Sequence, residues 1–227
     1  MTIKAVIFDL DGTLVDFNID YKAARAEVIR LLTKQGLPSS LLSINVSVFD
    51  MLKKAKKRMK NNGKEEKEIV KLKKNLISLV EHYELGAARE TNIIPGVLEA
   101  LKTLRKMKLK MAIFTTNGEK STSHILRRFN LRRFFDAIIT RESVSAVKPD
   151  PAHLEATLRA LNVEPEEAIV VGDSARDMKC ARKLNVVAVG VATGFSSIEA
   201  LTHAGADYLT SSSADIPTLV RQLNRQS

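Results

Sequence analysis

The chain has 227 residues, of which 44% are hydrophobic and 27% are charged, and its formal net charge is +10. This composition is typical of a globular protein and excludes a disordered one, and no apolar run approaches the ~18 residues that a membrane span needs. Cys180 is the only cysteine, which excludes an internal disulfide, and the N-terminal stretch is not typical of a secretory signal. We therefore expect a cytoplasmic protein without a membrane partner.

The first predicted element is a short buried strand that ends in two carboxylates. The apolar run Ala5–Phe8 is followed directly by Asp9-Leu10-Asp11-Gly12-Thr13. Asp and Gly are also common in ordinary turns, so this stretch alone has two interpretations. In the functional one, one aspartate attacks or binds a metal while its neighbour transfers protons, and Gly12 lets the backbone approach a ligand.

Residues from about 17 to 91 have a wholly helical pattern. A first helix is predicted over Tyr21–Lys34 with Asp20 as its cap, and Ser39 or Ser40 is expected to cap a second. Two apolar stripes then recur at helical spacing, namely Val48, Leu52, Ala55 and Met59, followed by Ile69, Leu72, Leu76, Leu79 and Tyr83. We expect a small helical domain at residues 17–91, with Gly86 as a hinge.

Residues from about 92 to 227 alternate apolar runs with helical patterns. Strands are predicted at Lys110–Phe114, Ala137–Thr140, Ala168–Val171, Val186–Val191 and Asp207–Leu209. Continuous apolar runs that alternate with helices indicate a parallel sheet covered on both faces. We therefore predict the α/β fold class. A three-layer Rossmann-like sheet would form a discontinuous catalytic core from residues 1–16 and 92–227, with the helical domain inserted between them.

Polar side chains follow four of these strands, at the edge where parallel sheets bind ligands. They are Asp9 and Asp11, Thr116 and Asn117, Lys148, and Asp173 and Asp177. Four carboxylates at one edge repel one another unless a cation lies among them, and hard oxygen ligands favour Mg²⁺. Lys148 and the Thr116 hydroxyl suit a phosphate group, so the pattern indicates phosphoryl transfer through an aspartyl-phosphate. Asp177 has a second interpretation, as a helix cap.

These motifs together resemble those of the haloacid dehalogenase superfamily, in its phosphatase branch. In order, the matching segments are Asp9-Leu10-Asp11-Gly12-Thr13, Thr116-Asn117, Lys148-Pro149 and Gly172–Asp177. The insertion at residues 17–91 resembles the helical cap of the phosphoglycolate phosphatase and β-phosphoglucomutase-like subgroup. Members often have glycine before the strand of the second motif and after the helix of the fourth, where this chain has Lys108 and Asn185.

The resemblance implies a role for each of these side chains. It implies that Asp9 is the nucleophile and that Asp11 is the general acid and base. The implied Mg²⁺ ligands are Asp9, the backbone carbonyl of Asp11, Asp173 and Asp177. The implied phosphoryl-binding groups are Thr116, the Asn117 amide and Lys148.

As a function, the resemblance implies a Mg²⁺-dependent phosphatase for a small phosphorylated metabolite such as phosphoglycolate or a sugar phosphate. The carboxylate of Asp11 favours phosphate esters over dehalogenation. A pyrophosphatase, a β-phosphoglucomutase-like phosphomutase and a stress-related protein with incidental phosphatase activity are alternatives. Another alternative is a non-catalytic module that binds nucleic acid or protein through the lysine-rich stretch Met51–Lys60 of the cap. The intact catalytic set argues against that module, so nucleic acid is not an expected partner. Both a monomer and a homodimer are compatible with the sequence.

Overall fold

In a computed structural model, which describes residues 2–16 and 18–226, the chain divides into two compact units. The sheet unit comprises Met1–Asn18 and Ala88–Ser227, and the helical unit comprises Ile19–Ala87. Among the described residues, no helix combines the length and the hydrophobicity that crossing a bilayer requires.

The sheet unit is built on six parallel strands among the described residues. In chain order they are β1 (Ala5–Phe8), β2 (Lys110–Phe114), β3 (Ala137–Ile139), β4 (Ala168–Gly172), β5 (Val187–Val191) and β6 (Tyr208–Thr210). Their spatial order is β3-β2-β1-β4-β5-β6, so the central strand β1 pairs with β2 and β4. The predicted α/β fold is confirmed, and each predicted strand boundary lies within one residue of the observed one.

Helices of the sheet unit cover both faces of the sheet and produce its three layers. Along the chain the helices are α1 (Tyr21–Lys34), α2 (Val48–Asn61), α3 (Glu66–Glu90), α4 (Val97–Lys106), α5 (Glu119–Arg128), α6 (Pro151–Leu161), α7 (Ala175–Lys183), α8 (Ile198–Ala204) and α9 (Ile216–Arg225). One core contains Val6 and Phe8 of β1 with Leu101 of α4, and the other contains Ile7 with Leu154 of α6. Successive strand residues point to opposite faces, which is why doubly covered strands are apolar throughout.

The helical unit has an apolar core of its own, between α1, α2 and α3. Its buried residues include Val28, Leu32, Met51, Leu52, Ala55, Met59, Ile69, Leu72 and Leu76. These are largely the residues of the two predicted stripes, while Leu79 and Tyr83 are half-buried. The unit is therefore held together by burial of one face of each amphipathic helix.

The predicted start of α2 is wrong. The cap is Ser47, whose hydroxyl accepts a hydrogen bond from the Asp50 amide at 3.1 Å and donates one to the Asp50 carboxylate at 2.6 Å. The segment Ser39–Leu41 forms a short 3₁₀ turn instead. Only the serine three residues before Asp50 can make this reciprocal pair of bonds, and so the helix begins at Val48.

Three backbone positions bear on the predicted hinge and on the two sites where family members often have glycine. Gly86 lies inside α3, which continues through it because a single glycine costs a long helix only about 1 kcal/mol, and the boundary between the two units follows Ala87. Lys108 and Asn185 have left-handed φ values of 60° and 56°. The two non-glycine residues therefore occupy backbone that glycine adopts most easily.

Candidate active site

Three carboxylates meet at the C-terminal edge of the sheet. Asp9 directly follows β1, Asp173 directly follows β4, and Asp177 lies in the first turn of α7. Taking one oxygen from each, all three lie within 4.8 Å of one another. The two strands are neighbours and Phe8 is opposite Val171, so the pairing of β1 with β4 brings their terminal aspartates together.

Lys148 brings a positive charge into this carboxylate cluster. Its Nζ lies 2.8 Å from Asp9 Oδ1 and 2.6 Å from Asp177 Oδ1, and 4.1 Å from the centre of the Phe114 ring. Burial lowers the pKa of Lys148, but the charges of Asp177 and Asp9 outweigh this effect and raise the pKa above its usual value. Lys148 is therefore a charged ammonium within the cluster.

One lysine does not compensate three carboxylates, and two of them have raised pKa values. Burial raises the pKa of Asp9 to about 6, against the opposing attraction of Lys148. Burial, followed by the charges of Asp9 and Asp177, raises the pKa of Asp173 to about 7. A divalent cation relieves this kind of repulsion. The donors are all carboxylate oxygens, which fits Mg²⁺.

Asp177 caps α7, which confirms one of its two interpretations, and its metal-supporting role stays a prediction. Its Oδ2 accepts hydrogen bonds from the Ser174 amide at 3.0 Å and the Ser174 hydroxyl at 2.7 Å, which caps α7. Its Oδ1 is the atom that contacts Lys148. A Cβ at Gly172 would lie 2.5 Å from Asp177 Oδ2, so the end of β4 needs a glycine to admit this carboxylate.

A loop after β5, which the sequence analysis did not identify, holds Asp173. The Phe195 amide donates to Asp173 Oδ2 at 2.6 Å, and the Thr13 hydroxyl donates to Oδ1 at 3.4 Å. A Cβ at Gly12 would lie 2.5 Å from Oδ2, and a Cβ at Gly194 would lie 2.0 Å from it. In the sequence, the glycine at position 194, shortly after a predicted strand, was the available signal for this loop.

The loop between β2 and α5, residues 115–118, brings its polar groups to the same edge. Asn117 Nδ2 donates to Asp11 Oδ2 at 2.5 Å, so the two predicted residues are in direct contact. The buried Thr115 hydroxyl accepts from the Asn117 amide at 3.1 Å, and Thr116 is half-buried. The predicted residues thus form one group around Lys148 and a second group that joins Asp11 to this loop.

His153 supports the segment that carries Lys148. The Lys148 amide donates to His153 Nδ1 at 3.4 Å, and His153 Nε2 lies 3.2 Å from the Ile139 carbonyl at the end of β3. Burial, and then the charge of Lys148, lower the pKa of His153 to about 4. The ring is therefore neutral, with Nδ1 accepting and the Nε2 hydrogen donated to Ile139, and it ties the Lys148 segment to the sheet.

Three comparisons place these features among known proteins. Residues 6–191 match the sequence model of the haloacid dehalogenase-like hydrolases. A phosphoglycolate phosphatase of Nitrosospira multiformis is 32% identical over 183 residues, which are 80% of this chain and 80% of that protein. The pyrophosphatase PpaX of Halalkalibacterium halodurans is 30% identical over 225 residues, which are 97% of this chain and 98% of that one.

A solved structure agrees with the sequence comparisons. A hydrolase from Pseudomonas syringae matches with a TM-score of 0.70 at 26% identity, over 97% of this chain and 99% of that one. The family match spans most of the chain and contains all four motifs. With its parallel sheet and its edge of carboxylates, the chain belongs to the haloacid dehalogenase-like hydrolases.

Proposed function

We propose that this hydrolase is a Mg²⁺-dependent phosphatase that acts on a small phosphorylated metabolite. The observation that carries the proposal is a pair of carboxylates after β1 that have different hydrogen-bond and ion-pair partners. Asp9 is held by Lys148 in the carboxylate cluster, and Asp11 is held by Asn117. Relatives named phosphoglycolate phosphatase and pyrophosphatase support a reaction at phosphorus.

Asp9 is the proposed nucleophile. The Leu10 amide lies 2.7 Å and Lys148 Nζ lies 2.8 Å from its Oδ1, so both contacts fix the same oxygen and Oδ2 is the one that would attack phosphorus. A bond then forms between Asp9 and phosphorus, and the bond from phosphorus to the leaving oxygen breaks. Lys148 orients the carboxylate and offsets negative charge on the phosphoryl group.

Asp11 is the proposed general acid and base. Asn117 orients its carboxyl group through the hydrogen bond to Oδ2. In the first step the protonated Asp11 would give its proton to the leaving oxygen, which departs as an alcohol. In the second step the Asp11 carboxylate would take a proton from a water molecule while the water oxygen attacks phosphorus. The bond between phosphorus and Asp9 then breaks, which releases inorganic phosphate and regenerates the Asp9 carboxylate.

The groups that would hold Mg²⁺ are Asp9, Asp173, Asp177 and the backbone carbonyl of Asp11. The cluster of three carboxylates supports a cation with oxygen ligands. When bound, Mg²⁺ would offset the charges of the carboxylates and of the phosphate, and so would lower the repulsion that opposes attack. Thr116 and Asn117, which lie in the loop after β2, would bind the oxygens of the phosphoryl group together with Lys148.

Phosphoglycolate is the first candidate substrate, because a relative named phosphoglycolate phosphatase aligns with 80% of this chain. Pyrophosphate is the second, because the named pyrophosphatase aligns with 97% of the chain, including the helical region. We expect the proposed cap, residues 17–91, to determine the choice, because closure of a cap over a shared core can exclude water and contact the substrate. A cytoplasmic location stays a prediction. Both a monomer and a homodimer stay compatible with the sequence.

The test is hydrolysis of a phosphate panel by the purified protein with Mg²⁺. The panel contains an aryl phosphate, phosphoglycolate, pyrophosphate and hexose phosphates, and a β-hexose 1-phosphate with a bisphosphate activator examines the phosphomutase alternative. We expect Asp9→Asn to lower kcat by about 10⁴-fold or more, and EDTA to abolish turnover. If the wild type with Mg²⁺ releases no phosphate from any compound of the panel, the proposed phosphatase activity is refuted.

Two further variants separate the roles of the carboxylates. Asp11→Asn should lower kcat by about 10²- to 10⁴-fold, yet should still release one equivalent of aryl alcohol, because an aryl leaving group needs little protonation. The control is Asp207→Asn, which changes an exposed aspartate just before β6, at the opposite edge of the sheet. It should retain wild-type turnover.

A further inference from the structure

An ion pair between a buried arginine and a partly exposed glutamate lies directly behind the loop that carries Thr116 and Asn117. Arg141 and Glu142 belong to a short 3₁₀ turn after β3. Arg141 Nε lies 3.0 Å from Glu142 Oε1, and the Arg141 side chain is only 3% exposed. None of the four family motifs contains either residue, so their role in this chain is unassigned.

This ion pair contacts the backbone of the loop and of the helix that follows it. Arg141 Nη1 donates to the Thr116 carbonyl at 3.4 Å, and the Arg141 amide donates to the Asn117 carbonyl at 3.3 Å. Glu142 Oε2 accepts from the amide of Glu119, the first residue of α5, at 3.1 Å. Two consecutive residues therefore hold the loop at two backbone points and the first residue of α5 at a third.

Gly118 shows how closely the guanidinium approaches the loop. Its φ of −73° and ψ of 160° are open to any residue, so its conformation does not require glycine. A Cβ at this position, however, would lie 2.4 Å from Arg141 Nη2 and 3.2 Å from Glu142 Oε1. The glycine therefore makes space for the ion pair.

These contacts fix the orientation of two peptide groups. The C=O and N–H of a trans peptide point in opposite directions. Holding the carbonyls of Thr116 and Asn117 on Arg141 therefore turns the amides of Asn117 and Gly118 away from it, and the Asn117 amide meets the Thr115 hydroxyl within the loop. We propose that Arg141 and Glu142 are positioning residues that hold this loop in its phosphate-binding conformation. This inference rests on the proposed function and adds two residues to its site.

The test measures the affinity for inorganic phosphate in the presence of Mg²⁺ by calorimetry. Arg141→Met retains the length of the side chain but removes its donors, and should weaken phosphate binding by about tenfold. Arg141→Lys should also lose affinity, because an ammonium does not reproduce the planar fork that reaches both Glu142 and Thr116. Mg²⁺ affinity should be unchanged, because Arg141 and Glu142 act on the backbone of the loop and of Glu119.

Two other variants keep the test independent of the folding of Arg141→Met. Glu142→Ala, at a side chain that is 43% exposed, should weaken phosphate binding by about threefold. Gly118→Ala should weaken it in the wild type, but should add little to Arg141→Met, because its clash is with the arginine. The control is Arg105→Met, which breaks the ion pair with Asp136 in the same unit and should leave phosphate affinity unchanged.

The outcomes distinguish this inference from the proposed function. Wild-type phosphate affinity in Arg141→Lys would overturn the positioning role, because charge alone would then suffice. Unchanged affinity in both Glu142→Ala and Gly118→Ala would also overturn it, even in an active phosphatase. Conversely, a wild type that binds phosphate but hydrolyses nothing would refute the proposed function, while the variants would still test the loop.

Discussion

At the residue scale, Asp9 and Asp173 hold protons more tightly than carboxylates in an unfolded chain. Their pKa values are about 6 and about 7, compared with 3.8 for a free aspartate. Between about pH 4 and pH 7, these two carboxyls therefore bind more protons in the metal-free folded state than in the unfolded state, whereas His153, with a pKa of about 4, binds fewer. The contribution of the two carboxyls to the free energy of unfolding falls as the pH rises through this window, because their deprotonation leaves uncompensated negative charge in a buried cluster.

We expect Mg²⁺ to stabilise the protein more at pH 8 than at pH 5. The cation binds the deprotonated carboxylates, and so competes with protons across this window. The measurement is the midpoint of thermal unfolding, with and without Mg²⁺, at the two pH values. Asp173→Asn should lose most of the Mg²⁺-dependent shift, whereas Asp207→Asn should keep it. Equal shifts at both pH values would contradict the prediction.

At the scale of elements, α4 and α7 are each followed by a left-handed residue. The Lys108 amide donates to the Arg105 carbonyl at 3.0 Å, and the Leu109 amide donates to the Leu104 carbonyl at 3.3 Å. Lys108, at a φ of 60°, thus lies where glycine most often ends a helix. Asn185 tolerates the same left-handed backbone after α7 better than lysine does. The conformational strain of this backbone is therefore greater at Lys108 than at Asn185.

We expect Lys108→Gly to raise the free energy of unfolding by about 0.5–1 kcal/mol. Relief of the left-handed strain, about 1–2 kcal/mol, should exceed the greater entropy that glycine gives the unfolded chain. Urea unfolding followed by circular dichroism measures the change. Lys106→Gly, at the last residue of α4, is the matched control, and it should lower stability, by up to the ~1 kcal/mol that glycine costs inside a helix. A loss of stability in Lys108→Gly would show that the side chain, rather than the backbone, matters there.

Individual elements differ in how far local sequence predicts them. The strands were predictable because a strand covered on both faces is apolar at every residue, as in Val170 and Val171 of β4. The start of α2 was not, because several serines precede it and each is a suitable cap. The bond between Ser47 and Asp50 decides among them, and serine alone does not reveal that partner.

At the scale of the whole molecule, positive charge is concentrated on the helical unit. Lys53, Lys54 and Lys57 are exposed along α2. Burial and the nearby charge of Lys73 on α3 lower the pKa of Lys56, which indicates crowding of like charges on this unit. With a net charge of +10 for the chain, the field of the protein favours the approach of anions.

We expect kcat/KM for an anionic phosphate ester to fall by about threefold or more between low and high ionic strength, with kcat little changed. Salt shortens the range of the attraction to the Debye length, about 10 Å at 0.1 M. Steady-state kinetics at saturating Mg²⁺ measure the effect, and replacement of Lys53, Lys54 and Lys57 by glutamine should reduce the salt dependence. A salt-independent kcat/KM would reject steering. Salt-sensitive retention of DNA by the wild type alone would favour the nucleic-acid alternative.

The sequence by itself determined which strands form and which polar residues follow them, because apolar runs and the residues that end them are local features. It therefore indicated Asp9, Asp11, Thr116, Asn117, Lys148, Asp173 and Asp177 together. Only the tertiary structure decided what surrounds those residues. The order of the strands brings together Phe195 and Asp173, which are 22 positions apart, and puts Arg141 behind the 115–118 loop. Contacts between distant segments depend on how the layers pack, and no local pattern of residues specifies that packing.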